Sequence, residues 1–264
     1  MRGADGHGDP AAIARRALAL LDLTELGNHA DDDAIVQLCD RAVTSHGHVA
    51  AVCVWPRHVA LAARELMSSP VRIATVVNFP SGDEAVTHVV AVTEQALADG
   101  AHEFDLVLPY HAYLDGAIEH VALMLETVRA TTASARATLK VILETGELGG
   151  LDHVEAASRL AIAHGADFVK TSTGTTPVSA TLDATAVMLR TIAAAGRPVG
   201  LKPSGGIRTL AQAAQYLDQA EQVMGPSWAT PSTFRFGASS LLEALLEALD
   251  GGIPPAGTSG TGTY

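Results

Sequence analysis

Short apolar runs alternate with longer stretches in which apolar residues recur every three or four positions, from one end of the chain to the other. The short runs read as strands at 21–24, 49–54, 72–77, 103–108, 139–144, 167–171, 199–203 and 234–238. The longer stretches read as helices at 32–44, 57–67, 83–99, 115–135, 152–164, 182–195, 209–221 and 239–249. A further helical pattern at 10–20 precedes the first strand and is expected to plug one end of the fold. Ser81 or Asp83, Asp152 and Thr209 are candidate caps for the third, fifth and seventh helices, and Gly100, Gly165 and Gly196 are candidate terminators.

Eight strand–helix units whose strands are apolar on both faces predict an α/β fold, a (β/α)8 TIM barrel. A doubly wound sheet is the alternative, but no Gly-x-Gly-x-x-Gly follows the first strand, and the short glycine signals come late, at Gly205-Gly206 and Gly237. With 264 residues, 48% of them hydrophobic, one barrel over residues 1–250 accounts for the chain. Residues 251–264, GGIPPAGTSGTGTY, are too poor in apolar side chains to build a core and read as a flexible tail.

The net charge of −12 and the absence of any long basic stretch argue against nucleic acid and anionic membrane as partners. No apolar run is long enough to span a bilayer, and Asp22 and Glu25 interrupt the N-terminal run too early for a secretion signal. Cys39 and Cys53 are the only cysteines, too few for a disulfide framework. A cytoplasmic protein is the expectation.

The chemistry shows in the lysines. Of 17 basic residues only three are lysines, Lys140, Lys170 and Lys202, and each lies inside an apolar run: TLKVIL, DFVKTS and VGLKPSGG. Burying an ammonium is costly, so a buried lysine points first to chemistry. An unperturbed lysine is only about 0.04% neutral at pH 7, and a pKa lowered by about 3 raises that to roughly a quarter, which suits a nucleophile. If the sixth and seventh strands are neighbours, Lys170 and Lys202 meet near the C-terminal mouth, and one cation eases deprotonation of the other. Asp105, on the inward face of the fourth strand, is the candidate proton relay. A structural ion-pair network with Asp105 or Glu144 is the competing explanation.

The strings LLDLT, AVCVWP, RIATVVNFPSG, EFDLVLPY, LKVILETGEL, GADFVKTSTG, GLKPSGGIRT and FRFGASSLL resemble, in order, the strand-end motifs of the deoxyribose-phosphate aldolase family, over about residues 10–249. That resemblance implies a metal-independent lyase with no cofactor, acting through an imine on Lys170. It implies Lys202 as the activating cation, Asp105 as the proton relay and Lys140 as part of the same polar network. Asp22, Thr24 and Cys53 would line the mouth with Thr173 and Gly174. Phosphate would rest on the backbone amides of Gly205, Gly206, Ile207, Gly237 and Ser239, aided by the hydroxyls of Ser239 and Ser240. The C-terminal Tyr264 would reach the site and move a proton at the enamine carbon. The partners implied are a small sugar phosphate and aldehydes, and a homodimer is expected on the resemblance alone.

One position departs from the family. A lysine directly follows TSTG in its members of this type, whereas Thr175 stands here, which predicts a weaker preference for phosphorylated substrates. Another class I aldolase or transaldolase acting on unphosphorylated aldehydes is therefore the alternative reading, and a non-catalytic sugar-phosphate-binding barrel is a third. The eleven histidines show no His-x-x-x-His spacing, and His102, His111 and His120 are expected to face solvent.

Overall fold

The computed structural model describes residues 9–251. Eight barrel strands are numbered here among themselves: β1 (Leu21–Glu25), β2 (Ala51–Val54), β3 (Arg72–Val77), β4 (Glu103–Val107), β5 (Thr138–Ile142), β6 (Phe168–Lys170), β7 (Gly200–Lys202) and β8 (Phe236–Ala238). From β1 to β7 each pairs in parallel with the next, and β8 pairs in parallel with β1. The remaining seam, β7 to β8, is held by single bridges at Leu201–Phe234 and Ser204–Gly237 and by backbone bonds such as Gly237 N to Pro203 O, 2.9 Å. The expected barrel is formed.

Alternation along each strand sorts side chains into two layers. On β1, Leu21 and Leu23 are buried on the face opposite Asp22, which enters the barrel. The helices are α1 (Pro10–Ala19), α2 (Asp32–Arg41), α3 (Val59–Glu65), α4 (Val86–Ala98), α5 (Tyr110–Leu114), α6 (Ile118–Ser134), α7 (Leu151–Ala163), α8 (Leu182–Ala193), α9 (Leu210–Met224) and α10 (Leu241–Leu249). The N-terminal helix α1 has its main contacts with α10, α9 and a small ribbon strand.

Several boundaries differ from the pattern reading, each for a local reason. Helix α2 stops at Arg41 because Val43–Thr44 turns away to pair antiparallel with Gly47–His48. Neither Ser81 nor Asp83 caps α4, which begins after Ala85. The preceding loop is instead pinned by Asn78, whose amide donates to the carbonyls of Gly82 and Val107 and whose Oδ1 accepts from Glu84 N. The stretch 115–135 is cut by Gly116, at φ 79°, so α5 and α6 are separate. Asp152 lies in the first turn of α7, whose cap is Gly150, and there its charge still complements the helix dipole. Thr209 caps α9 as expected, in a reciprocal capping box with Gln212.

His102 does not face solvent: it is half-buried, and its Nδ1 accepts from Ile73 N at 3.1 Å. His111 and His120 are exposed. Among the described residues no helix is long and apolar enough to cross a membrane.

Candidate active site

Register builds the site. Lys170 of β6 lies directly opposite Lys202 of β7, and Asp105 of β4 lies opposite Lys140 of β5. All four point inward, so three ammoniums converge on one carboxylate. Lys140 Nζ is 2.8 Å from Asp105 Oδ1, while Lys170 Nζ and Lys202 Nζ are 2.8 and 2.7 Å from Oδ2. Asp105 sits mid-strand and is fully buried.

One layer further toward the N-terminal ends of the strands, the network continues. Lys202 reaches Asp22 Oδ2 at 2.5 Å, and Lys140 reaches Glu103 Oε2 at 2.8 Å and Asp22 at 3.6 Å. Arg235 donates to Asp22 Oδ1 at 2.6 Å and forks onto Glu103 at 2.9 and 3.1 Å. Four cations thus face three carboxylates. Asp22 was expected at the mouth; it is instead wholly enclosed between Lys202 and Arg235. Glu144 was a possible lysine partner; its carboxylate instead accepts from Thr173 N, Thr173 Oγ1 and Thr176 Oγ1 at 3.1, 2.5 and 3.2 Å.

The charge balance decides which amine gives up its proton. Burial pushes the Lys140 amine down, but Asp105, Glu103 and Asp22 outweigh it and hold this amine well above its ordinary value. At Lys202 burial again pushes down, and Asp105 with Asp22 again prevails, so the net direction is up. Lys170 differs: burial and the cation of Lys202 together overcome its single carboxylate, Asp105, and the amine is lowered. Asp105 is driven up by burial, yet its three lysines hold it well below the usual carboxylate range. Burial pushes the Cys53 thiol up to about 11, so it stays protonated beside the lysines.

A cleft at the C-terminal ends of the strands is lined by Thr24, Leu26, Phe79, Lys170, Thr173, Thr175, Ser204 and Gly237. Of the three lysines only Lys170 lines it. Thr24 lies at its wall with its hydroxyl turned to Asp22 O, 3.0 Å, and Cys53 is buried below. Thr173 is committed to Glu144 and to the Thr175 hydroxyl, 2.8 Å away, and Thr175 is exposed. Below Lys170, the Phe168 ring fills the space of a missing side chain: a Cβ on Gly200 would lie 2.2 Å from Phe168 Cε1.

The expected phosphate loops are partly revised. Gly205 N donates to Gly237 O at 3.2 Å and Gly237 N donates to Pro203 O, so closure of the barrel consumes both amides. Gly205 is at φ 83°, and a Cβ there would lie 2.5 Å from Ser179 Oγ, so its part is to admit this close turn. The amides of Gly206, Ile207 and Ser239 have no backbone partner among the described residues. The Ile207 side chain is buried, Gly174 is buried at φ 91°, Ser239 is half-buried, and Ser240 is exposed at the start of α10. Tyr264 lies outside the described residues.

Pattern reading missed Arg235 and Glu103 as members of the site. The signals were present: Glu103 shares a face with Asp105, and Arg235 interrupts FRFGA as conspicuously as any lysine interrupts its own run. Among the described residues no group of three or more His, Cys, Asp or Glu side chains is placed to hold a metal ion.

Comparison with known proteins places the chain in a family and shows a shared fold. Residues 16–247 match the family model described as DeoC/LacD family aldolase. The deoxyribose-phosphate aldolase of Agrobacterium fabrum is 50% identical over 252 residues, covering 95% of this chain and 97% of that one. A Toxoplasma gondii ME49 structure, provisionally described as a deoxyribose-phosphate aldolase, superposes with a TM-score of 0.82 at 25% identity, covering 91% and 95% of the two chains. The tetrameric deoxyribose phosphate aldolase of Aeropyrum pernix shares the fold, with a TM-score of 0.74 at 23% identity over 92% and 93% of the chains.

Proposed function

The chain belongs to the DeoC/LacD family of aldolases, and from that premise we propose that it cleaves 2-deoxyribose 5-phosphate reversibly into acetaldehyde and glyceraldehyde 3-phosphate. The observation that carries the reading is Lys170, the one lysine of three that faces the cleft and the one whose proton is least well held.

Neutral Lys170 attacks the C1 aldehyde of the open-chain sugar, and loss of water leaves an iminium that draws electrons from the adjacent bond. Carbon count sets the cleavage between C2 and C3, since acetaldehyde takes two carbons and glyceraldehyde 3-phosphate takes three. Asp105, through a water, accepts the C3 hydroxyl proton as that bond breaks, and the bonding pair becomes the enamine on Lys170. Protonation of the enamine carbon, the step assigned to Tyr264, and hydrolysis release acetaldehyde. Lys202 keeps positive charge beside Lys170 throughout, which disfavours its reprotonation. The phosphate rests on the amides of Gly206, Ile207 and Ser239 and the hydroxyls of Ser239 and Ser240.

Thr175 favours a second element of the proposal. Where the family has a lysine this cleft has an exposed hydroxyl, so the preference for phosphorylated over free sugars is reduced. A cytoplasmic location and a homodimer belong to the proposal on family resemblance.

Borohydride reduction in the presence of acetaldehyde tests the core of the reading. A reduced adduct is expected at Lys170 and lost in Lys170→Ala; a wild-type protein that forms no adduct while binding deoxyribose 5-phosphate would be a non-catalytic binder. Deleting Tyr264 should slow exchange of the acetaldehyde methyl protons with solvent and spare the adduct. Unchanged exchange removes Tyr264 from the scheme.

A further inference from the structure

We propose that Arg235 is a positioning residue for the amine chemistry: from the position just before β8 its guanidinium occupies Asp22 and Glu103 from one side, so that the three lysines share too few carboxylates and Lys170 is left with one shared oxygen. The proposal rests on the aldolase reading above.

The geometry gives Arg235 this reach. It is 5% exposed, donates to Asp22 Oδ1 and to both Glu103 oxygens, and is fixed by Nε to Pro231 O at 2.5 Å. Its guanidinium carbon lies 5.8 Å from the centroid of Phe168, the ring directly below Lys170 on the same strand. Asp22 is thus shared between Arg235 and Lys202, and Glu103 between Arg235 and Lys140. Lys140 and Lys202 then compete with Lys170 for Asp105.

Remove the guanidinium and the count changes from four cations against three carboxylates to three against three. Asp22 and Glu103 would turn fully to Lys202 and Lys140, which would relax their claim on Asp105. Lys170 would gain that carboxylate and hold its proton more firmly. The other groups facing this network are Asp22 on β1, Cys53 on β2, Asp105 and Glu103 on β4, Lys140 on β5 and Lys202 on β7. At its edges lie Arg72, 3.8 Å from Glu103, His102 beside Arg72, and Glu144 beyond the end of β5. None of the edge groups contacts Asp105, so the balance at Lys170 is set within the core network.

A role in packing alone and a role in charge balance differ in sign under substitution. The rate of imine trapping with acetaldehyde and borohydride, measured across pH in the full chain, separates them. Arg235→Gln is expected to move the rise of that rate about one pH unit or more toward alkaline, which is about tenfold slower trapping on the acid side. Glu103→Gln removes a carboxylate and is expected to move the rise toward acid. The double variant, which removes one charge of each sign, should return close to the wild-type profile. If Arg235→Gln does not fold, Glu103→Gln alone decides. An unmoved profile in Glu103→Gln, a shift of both single variants in the same direction, or no recovery in the double variant overturns the proposal. Absence of any wild-type adduct would overturn the aldolase reading itself, a distinguishable outcome.

Discussion

Lys170 and Lys202 lie side by side across β6 and β7, and both ammoniums donate to a single oxygen, Asp105 Oδ2, at 2.8 and 2.7 Å. One oxygen cannot satisfy two charges as well as it satisfies one. Lys202 also reaches Asp22 at 2.5 Å, and Lys170 has no second carboxylate in hydrogen-bond contact among the described residues. That asymmetry leaves Lys170 with its proton less firmly held than that of Lys202.

Replacing Lys202 with methionine keeps the buried volume and removes the charge. Lys170 then has Asp105 Oδ2 to itself, its proton is held more firmly, and imine formation slows on the acid side by about tenfold for each pH unit the profile moves. The pH dependence of adduct trapping measures this. A profile that stays in place while the rate falls uniformly would assign Lys202 to packing.

Thr175→Lys should restore a charge-assisted contact to phosphate worth about 1 to 3 kcal/mol. The KM for deoxyribose 5-phosphate is then expected to fall by roughly 5- to 150-fold, with the KM for deoxyribose unchanged. Steady-state kinetics on the two sugars side by side checks it, and equal changes for both would show that position 175 does not read the phosphate.

Gly200→Ala places a methyl 2.2 Å from the Phe168 ring. Overpacking of this kind costs about 1 to 3 kcal/mol, to be read from urea unfolding. Because Phe168 underlies Lys170, the rate of imine formation should fall too. Phe168→Leu added to Gly200→Ala should recover part of the stability, and failure to do so would place the strain elsewhere.

Acid should unfold the protein through its barrel interior. Asp105 is driven up by burial and pulled further down by its lysines, and Asp22 and Glu103 are likewise held below the ordinary carboxylate range. A carboxyl lowered in the folded state contributes stability that is present above its unfolded value, near 4, and is lost as pH falls below it. The melting temperature is therefore expected to hold from pH 7 to about 5 and to drop steeply below about 4. Lys170, lowered in the folded state, works in the opposite sense at the alkaline end, where its cost disappears as pH rises through its folded value. A melting temperature that stays level to pH 3 would contradict the ledger of signs.

Periodicity and the placement of three lysines are local facts, and the chain alone determined them. Apolar runs of strand length between helical stretches specify eight βα units, and a lysine within such a run points into a barrel because side chains alternate. Thr209 with Gln212 is likewise legible, since a cap depends on residues three apart. Distribution of charge and of hydrogen-bonding capacity is not local. Arg235 meets Asp22 only because β8 returns to β1, bringing together residues more than two hundred positions apart. Closure of β7 on β8 consumes the amides of Gly205 and Gly237 that a glycine pattern leaves free. Glu144, adjacent to the lysines in sequence pattern, is drawn away by Thr173 and Thr176 in a loop it helps to build. Which residues enter the barrel was thus settled by alternation along single strands. Which lysine gives up its proton was settled only by tertiary structure, because each carboxylate has a limited number of oxygens and the fold decides which cations reach them first.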